Sequence, residues 1–127
     1  MADLIELTGG PITTSGGWQA LDEVVDVSGY DVFDFEVGVL GITGSPTTAE
    51  LIIYTSMYKK KEASSSSPLP WTDVRTRTLT APDYDTFTIP DASTPVLRFI
   101  RYYINLAGGT NPTVTLQIAI LARRKSI

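Results

Sequence analysis

The sequence of 127 residues contains no cysteine and no histidine. The absence of cysteine excludes disulfides and thiolate metal ligands. The absence of histidine removes the commonest general base, a frequent metal ligand and the usual partner of a serine nucleophile. We therefore expect no Ser-His-Asp catalysis, no catalytic residues of a known type, no metal site and no cofactor.

Long apolar runs are also missing, because no stretch is both long enough and apolar enough to span a bilayer. The N-terminal residues Met1, Ala2, Asp3 and Leu4 lack the basic region and the apolar stretch of a signal peptide. We therefore expect neither a leader nor a membrane partner. A chain of this length is expected to fold as one domain with a core of its own.

Positive charge is absent from residues 1–50, which hold nine of the fourteen acidic residues, whereas all ten lysines and arginines follow. Acidic and basic strands that lie side by side could neutralise each other within the sheets. Alternatively, one acidic and one basic face could pack against copies of the molecule. The basic clusters at 59–61 and 123–125 are too short, in a chain of pI about 4.6, to favour binding of nucleic acid.

The strongest pattern lies in residues 96–121, where two apolar alternations flank the sequence Ala-Gly-Gly-Thr-Asn-Pro. A period of two places the apolar residues of each run on one side of a strand. The glycines and the Asn-Pro pair supply turn chemistry between the runs. The pattern predicts a long antiparallel hairpin at the centre of the core. Its inward residues are Ile100, Tyr102, Ile104 and Leu106 in the first run and Val114, Leu116, Ile118 and Ile120 in the second.

Further alternations predict strands over residues 30–40, 49–58, 71–80 and 84–89. The strand 49–58 has apolar residues on both faces, which indicates cover on both sides, for instance by a neighbouring subunit. The loop at 59–70 is rich in serine and proline, as is typical of a linker.

Strands that recur every ten to fifteen residues or so, with no helical period, predict an all-β fold. We expect an antiparallel β-sandwich, and specifically a jelly roll of about eight strands. Residues 1–17 are assigned to an N-terminal strand or arm, and residues 18–127 to a single sandwich domain.

Carboxylates are the remaining candidates for catalysis or metal binding. Asp34 and Glu36 share one face of a predicted strand, as paired carboxylates of a glycosidase would, but a solvated face also explains them. Asp22, Glu23 and Asp26 could offer oxygen ligands to calcium, although their spacing matches no EF-hand. Scattered surface acids explain these three residues equally well.

Aromatic residues could form a platform for sugar rings, with Trp18 and Trp71 as the candidate contacts. The same side chains could instead pack in the core and at the ends of the sandwich. If they are exposed, they could also anchor a protein interface.

The run R-F-I-R-Y-Y-I at 98–104, followed by Gly108 and Gly109 and by the strand over 114–121, resembles small β-sandwich structural proteins of tailed-phage virions. In those proteins an arginine-aromatic strand leads through a Gly/Thr/Pro turn into a last apolar strand with a basic end. The likeness covers the last quarter of the chain. Within that group the chain is similar in size to head decoration (cement) proteins.

This resemblance implies a non-enzymatic virion protein, assembled in the host cytoplasm, that bridges subunits of the major capsid protein. It also implies a homo-oligomer, with a trimer favoured, and neither a nucleic acid nor a membrane as partner. The alternative is a carbohydrate- or receptor-binding module of a phage tail or fibre, which would use Trp18 and Trp71. The candidate interface residues are Leu4, Ile5, Leu7, Ile52, Tyr54, Tyr58, Arg98, Arg101, Arg123 and Arg124.

Overall fold

Extended segments dominate the computed structural model of the protein, which describes residues 2–64, 66–90 and 95–124. They form two antiparallel sheets that pack face to face, so the predicted all-β sandwich is confirmed. The strands are β1 (Ala2–Glu6), β2 (Ile12–Thr14), β3 (Gly17–Trp18), β4 (Val25–Asp26), β5 (Val32–Thr43), β6 (Thr48–Ser56), β7 (Thr72–Thr78), β8 (Asp83–Ile89), β9 (Phe99–Ala107) and β10 (Thr113–Arg123), with a 3₁₀ helix at Leu21–Glu23.

In each sheet, two short strands lie one after the other and together form one edge. In sheet 1, β10 pairs with β5 and β5 with β8, while β1 and β2 both line the other side of β10. In sheet 2, β9 pairs with β6 and β6 with β7, while β3 and β4 both line the other side of β9. The break between β1 and β2 falls at Gly9 and Gly10, which have positive φ, and at Pro11, which has no N–H to donate.

The predicted hairpin of residues 96–121 is wrong, because β9 and β10 lie in opposite sheets. β9 pairs along its length with β6, and β10 pairs with β5. The inward residues were nevertheless predicted correctly, since Ile100, Ile104, Leu116 and Ile118 are all buried in one core cluster. The alternation correctly indicated which face of each strand is apolar. Both apolar faces point into the same core cluster, from opposite sheets.

The connection at 108–112 therefore crosses from one sheet to the other. It lies against the connection at 44–47, which crosses between β5 and β6, and the Thr110 N–H donates to the Gly44 carbonyl at 2.9 Å. Gly109 has a φ of +70°, and a Cβ there would overlap the Gly44 carbonyl oxygen. Glycine is required at this point because the two crossing loops meet there.

Within residues 1–17, β1 and β2 form the edge of sheet 1 rather than a detached arm, and Gly17 begins β3 of sheet 2. β1 and β2 both pair with β10. Between them Leu7 is buried in the main core, and its N–H donates to the Ile118 carbonyl at 2.9 Å. Removal of this segment would uncover β10, so a deletion would test stability as well as any role in assembly.

Acidic residues of the N-terminal half pair with basic residues of the C-terminal half. Arg123 Nε lies 2.9 Å from Asp34 Oδ2, and Arg98 Nη2 lies 3.2 Å from Asp26 Oδ2. Hydrogen bonds from Arg123, and then from Thr88, hold the pKa of Asp34 below its ordinary value. For these residues the charge asymmetry of the sequence is neutralised between neighbouring strands.

We expect Gly109→Ala to lower the free energy of unfolding by about 1–3 kcal/mol, because alanine is strained at positive φ and its Cβ would strike the neighbouring loop. Gly41→Ala is the matched control, since Gly41 lacks a positive φ and an added Cβ there would meet nothing within 4 Å. Urea unfolding followed by circular dichroism measures both variants. Equal losses of stability would contradict the role given to the crossing loops.

Candidate functional site

The outer face of sheet 2 is covered by part of the β6–β7 connection, residues 57–64 and 66–71, which we call the cover loop. Trp71, at its end, is buried together with Phe99 in a second apolar cluster outside the sheet. The Trp71 Nε1–H donates to the Lys60 carbonyl at 2.7 Å. On the outer face of β6, Tyr54 thus packs against side chains of the same chain, and the predicted linker is anchored to sheet 2 by Trp71.

Arg101 fixes the cover loop to β9. The side chain is only 4% exposed, and its guanidinium carbon lies 4.7 Å from the ring centroid of Trp18 and 5.4 Å from that of Trp71. Its Nη1 donates to Glu62 at 3.0 Å, and its Nε donates to the Gln19 carbonyl at 2.8 Å. This buried cation is tolerated because its charge is paired and its planar group is stacked between rings.

Three of the predicted site residues are too buried for the roles proposed for them. Trp71 is 1% exposed, because it fills the cluster beneath the cover loop, and so it cannot contact a sugar. Arg101 is enclosed between the two tryptophans and Leu7 belongs to the main core, so neither can meet a partner protein. These three assignments are corrected by the structure.

The predicted arginines at the end of the chain are exposed. Arg98 and Arg123 reach across to acidic residues of neighbouring strands, as described above. Arg124 lies beside Gly29 and Tyr30, at a pocket of about 440 Å³ near the N-terminal strand. Lys125, the last member of that basic cluster, lies outside the described residues.

The other predicted interface residues are spread over both sheets and do not form one patch. Leu4 and Tyr58 are well exposed. Ile5 is half-buried against the main core. Ile52 and Tyr54 are half-buried on β6, where Tyr54 packs against the second cluster outside sheet 2.

An aromatic cleft lies between the outer face of sheet 2 and the cover loop, with a volume of about 220 Å³. Trp18, Tyr54 and Tyr103 form its floor, and the ring centroids of the two tyrosines lie 4.6 and 4.9 Å from that of Trp18. All three residues are partly buried. The side of the cleft that belongs to the cover loop consists of Ser64, Ser66, Ser67 and Pro68.

Strand register brings the three aromatic rings together. Trp18 on β3 is the direct cross-strand partner of Tyr103 on β9. Tyr54 on β6 is paired with Arg101, which stands two residues from Tyr103 on the same face. Burial raises the pKa of Tyr54, so its phenol stays protonated at neutral pH and can donate a hydrogen bond. Tyr103 was not among the predicted site residues, although its alternation with the inward residues of β9 places it on the outer face.

A second surface with exposed apolar groups lies on the outer face of sheet 1. Leu4 on β1 and Leu121 on β10 are direct cross-strand partners, 67% and 42% exposed. From this pair a groove of about 470 Å³ crosses β5 to β8, past Asp34 and Glu36. We call it the sheet-1 groove. Asp34 accepts a hydrogen bond from the Thr88 hydroxyl at 2.6 Å, so this carboxylate is held in place on the groove floor.

Within residues 2–64, 66–90 and 95–124, no group of three acidic side chains is arranged to hold a metal ion. Asp26, one of the acids considered for calcium, instead accepts hydrogen bonds from the Ser28 hydroxyl at 2.7 Å and the Ser28 N–H at 2.9 Å. These bonds lower the pKa of Asp26. In the same part of the chain, no helix has the length and hydropathy needed to cross a membrane.

Comparisons of this sequence with known proteins identify no family for the chain. No protein-family model matches the chain. No curated protein matches it either. We therefore infer a function from three structural features, namely the strand order, the sheet-1 groove and the aromatic cleft.

Glu62 couples the attachment of the cover loop to pH. Burial by itself would raise the pKa of Glu62, but hydrogen bonds from its own backbone N–H and from Arg101 outweigh burial and hold the pKa below its ordinary value of 4.5. A lowered folded-state pKa means that the ionised carboxylate stabilises the fold above the unfolded-state pKa. That contribution is lost as the pH falls through the folded-state pKa.

We expect Glu62→Gln to be less stable than the unmodified protein at neutral pH, because Arg101 loses its ionised partner. The difference in free energy of unfolding should shrink as the pH falls from about 5 to about 3, where Glu62 itself becomes protonated. Urea unfolding at a series of pH values measures this difference. A difference that stays constant over the whole range would contradict the ion pair.

Proposed function

We propose that the protein is a non-enzymatic structural component of a virion, and that it decorates the capsid by bridging subunits of the major capsid protein. The observation that carries this proposal is the strand order. If β1 with β2, and β3 with β4, are counted as interrupted single strands, the sheets have the orders 1-8-3-6 and 2-7-4-5. We interpret this order as a jelly roll of two Greek keys, an architecture common among viral capsid proteins.

The sheet-1 groove is the surface that we assign to the capsid. Protein interfaces place apolar anchors at their centre and polar groups at their rim. Here Leu4 and Leu121 supply the anchors, with Ala119 beside them, and Glu6 and Glu36 lie at the margin. Sheet 2 is a poorer docking face because the cover loop already occupies much of its outer side.

The proposal places the protein in the virion after assembly in the host cytoplasm. A chain without cysteine needs no oxidising compartment for its stability. The resemblance to decoration proteins also supports self-association, and we propose a trimer. Neither nucleic acid nor a membrane is part of this proposal.

We expect the double variant Leu4→Ser/Leu121→Ser to reduce capsid binding by at least about tenfold, because burial of one leucine side chain contributes roughly 1.5–3 kcal/mol. Its stability should change little, because both side chains are exposed in the free protein. The measurement is co-sedimentation of the purified protein with capsids assembled from the major capsid protein of the same virus.

Leu40→Ser is the matched control for this experiment. Leu40 is 60% exposed at the β-bulge of β5, in the same sheet but outside the groove. Capsid binding by this variant should be unchanged. If the unmodified protein never co-sediments with capsids, decoration is rejected, and if the double variant binds as well as the control, the groove is not the docking surface.

We expect light scattering to give three times the chain mass, with little change as salt is raised. Two acidic residues of the N-terminal half, Asp26 and Asp34, are already paired within the chain, so charge between subunits is not what holds the trimer. A monomer mass at all salt concentrations would reject the trimer. Dissociation on addition of salt would point instead to attraction between oppositely charged faces.

A further inference from the structure

We propose that the aromatic cleft binds a carbohydrate, with one neutral pyranose ring of a glycan seated against Trp18, Tyr54 and Tyr103. The cleft belongs to the outer face of sheet 2 and the proposed capsid surface belongs to sheet 1. The two inferences therefore rest on different residues and can fail separately.

The lining of the cleft matches the two kinds of surface that a pyranose ring presents. A sugar ring has faces of C–H groups, which pack against aromatic rings, and a rim of hydroxyl groups, which need hydrogen-bond partners. Three partly buried aromatic rings form the floor of the cleft, and serine hydroxyls stand on the cover-loop side.

The dimensions of the cleft favour a single ring. Its volume of about 220 Å³ lies below the range of about 300–1,000 Å³ that is usual for pockets of drug-sized ligands. One terminal sugar can occupy such a space while the rest of the glycan extends into solvent. None of the seven lining residues carries a formal charge, so the site selects no ionised sugar.

The cover loop is held in position before any ligand arrives. Arg101 binds Glu62 at 3.0 Å, and Trp71 donates to the Lys60 carbonyl at 2.7 Å. Within the loop, Ser64 Oγ accepts from the backbone N–H of Ser67 at 3.1 Å, which fixes a turn at the mouth of the cleft. A site with fixed walls loses less entropy on binding, which helps a small ligand with few contacts.

The test begins with a glycan array and continues with calorimetric titration of galactose, glucose and N-acetylglucosamine. Tyr103→Leu and Tyr54→Leu remove a ring from the floor but keep apolar cover on the strand. Each should weaken binding by at least about tenfold. Tyr84→Leu is the control, because Tyr84 is a well-exposed tyrosine on sheet 1, away from the cleft. Tyr84→Leu should bind each sugar as tightly as the unmodified protein does.

Ser66→Leu provides a second test if the tyrosine variants do not fold. Ser66 is exposed on the cover loop, so the larger side chain can be accommodated without disturbing the core, yet it would project at the cleft. It should abolish sugar binding. Nuclear magnetic resonance shows where the sugar binds. The chemical shift of the Trp18 indole N–H should change on titration, whereas that of buried Trp71 should not change.

Two results would overturn the proposal. The first is no binding by the unmodified protein, either on the array or to the three sugars at roughly 50 mM, a concentration that detects even millimolar affinity. The second is binding that survives in Tyr103→Leu, Tyr54→Leu and Ser66→Leu alike. Tyr103→Leu should still co-sediment with capsids as the unmodified protein does. This result would show that sugar binding can be lost without loss of capsid binding.

Discussion

The buried faces of β9 and β10 both belong to the one main core cluster, on which the packing of the two sheets depends. Each is an inner strand of its own sheet, and each carries an edge made of two short strands. In the part of the chain that the structure describes, β1 and β2 pair with β10 in sheet 1, and β3 and β4 pair with β9 in sheet 2. The apolar faces of these two strands thus position both surfaces for which we propose a role, the Leu4–Leu121 pair and the aromatic floor.

The sequence predicted the all-β class and the inward faces of the strands, but it did not predict which strands pair with each other. Alternation correctly identified Ile100 and Ile118 as inward residues, because a period of two fixes which face of a strand is apolar. It does not fix which strand lies alongside. Glycine and proline at 108–112 suit a tight hairpin and a loop that crosses between sheets equally well, and the choice between them depends on β5 and β6, which are distant in sequence.

The candidate sites were predicted less well than the fold, for a related reason. Arg101 and Trp71 look like exposed polar and aromatic residues until Glu62 and the cover loop are placed over them. Burial of long amphipathic side chains is decided by such distant partners. Leu4 is exposed, whereas Leu7, three residues later in the same apolar segment, belongs to the core. Leu7 continues the pairing along β10, and its odd offset from Leu4 places the two side chains on opposite faces of the sheet.

The pairing of β1 with β10 has a consequence for how the protein is made. Among the described residues, the sheet neighbour of β1 is β10, which lies far along the chain, since Leu4 lies opposite Leu121. Sheet 1 can close only after nearly all of this sequence has been synthesised. Until then Leu4 and Ile5 stay unpaired, and premature contact with other nascent chains is a hazard. Synthesis that slows before β10 prolongs this exposed state, whereas a pause after β10 has emerged allows the first and last strands to meet.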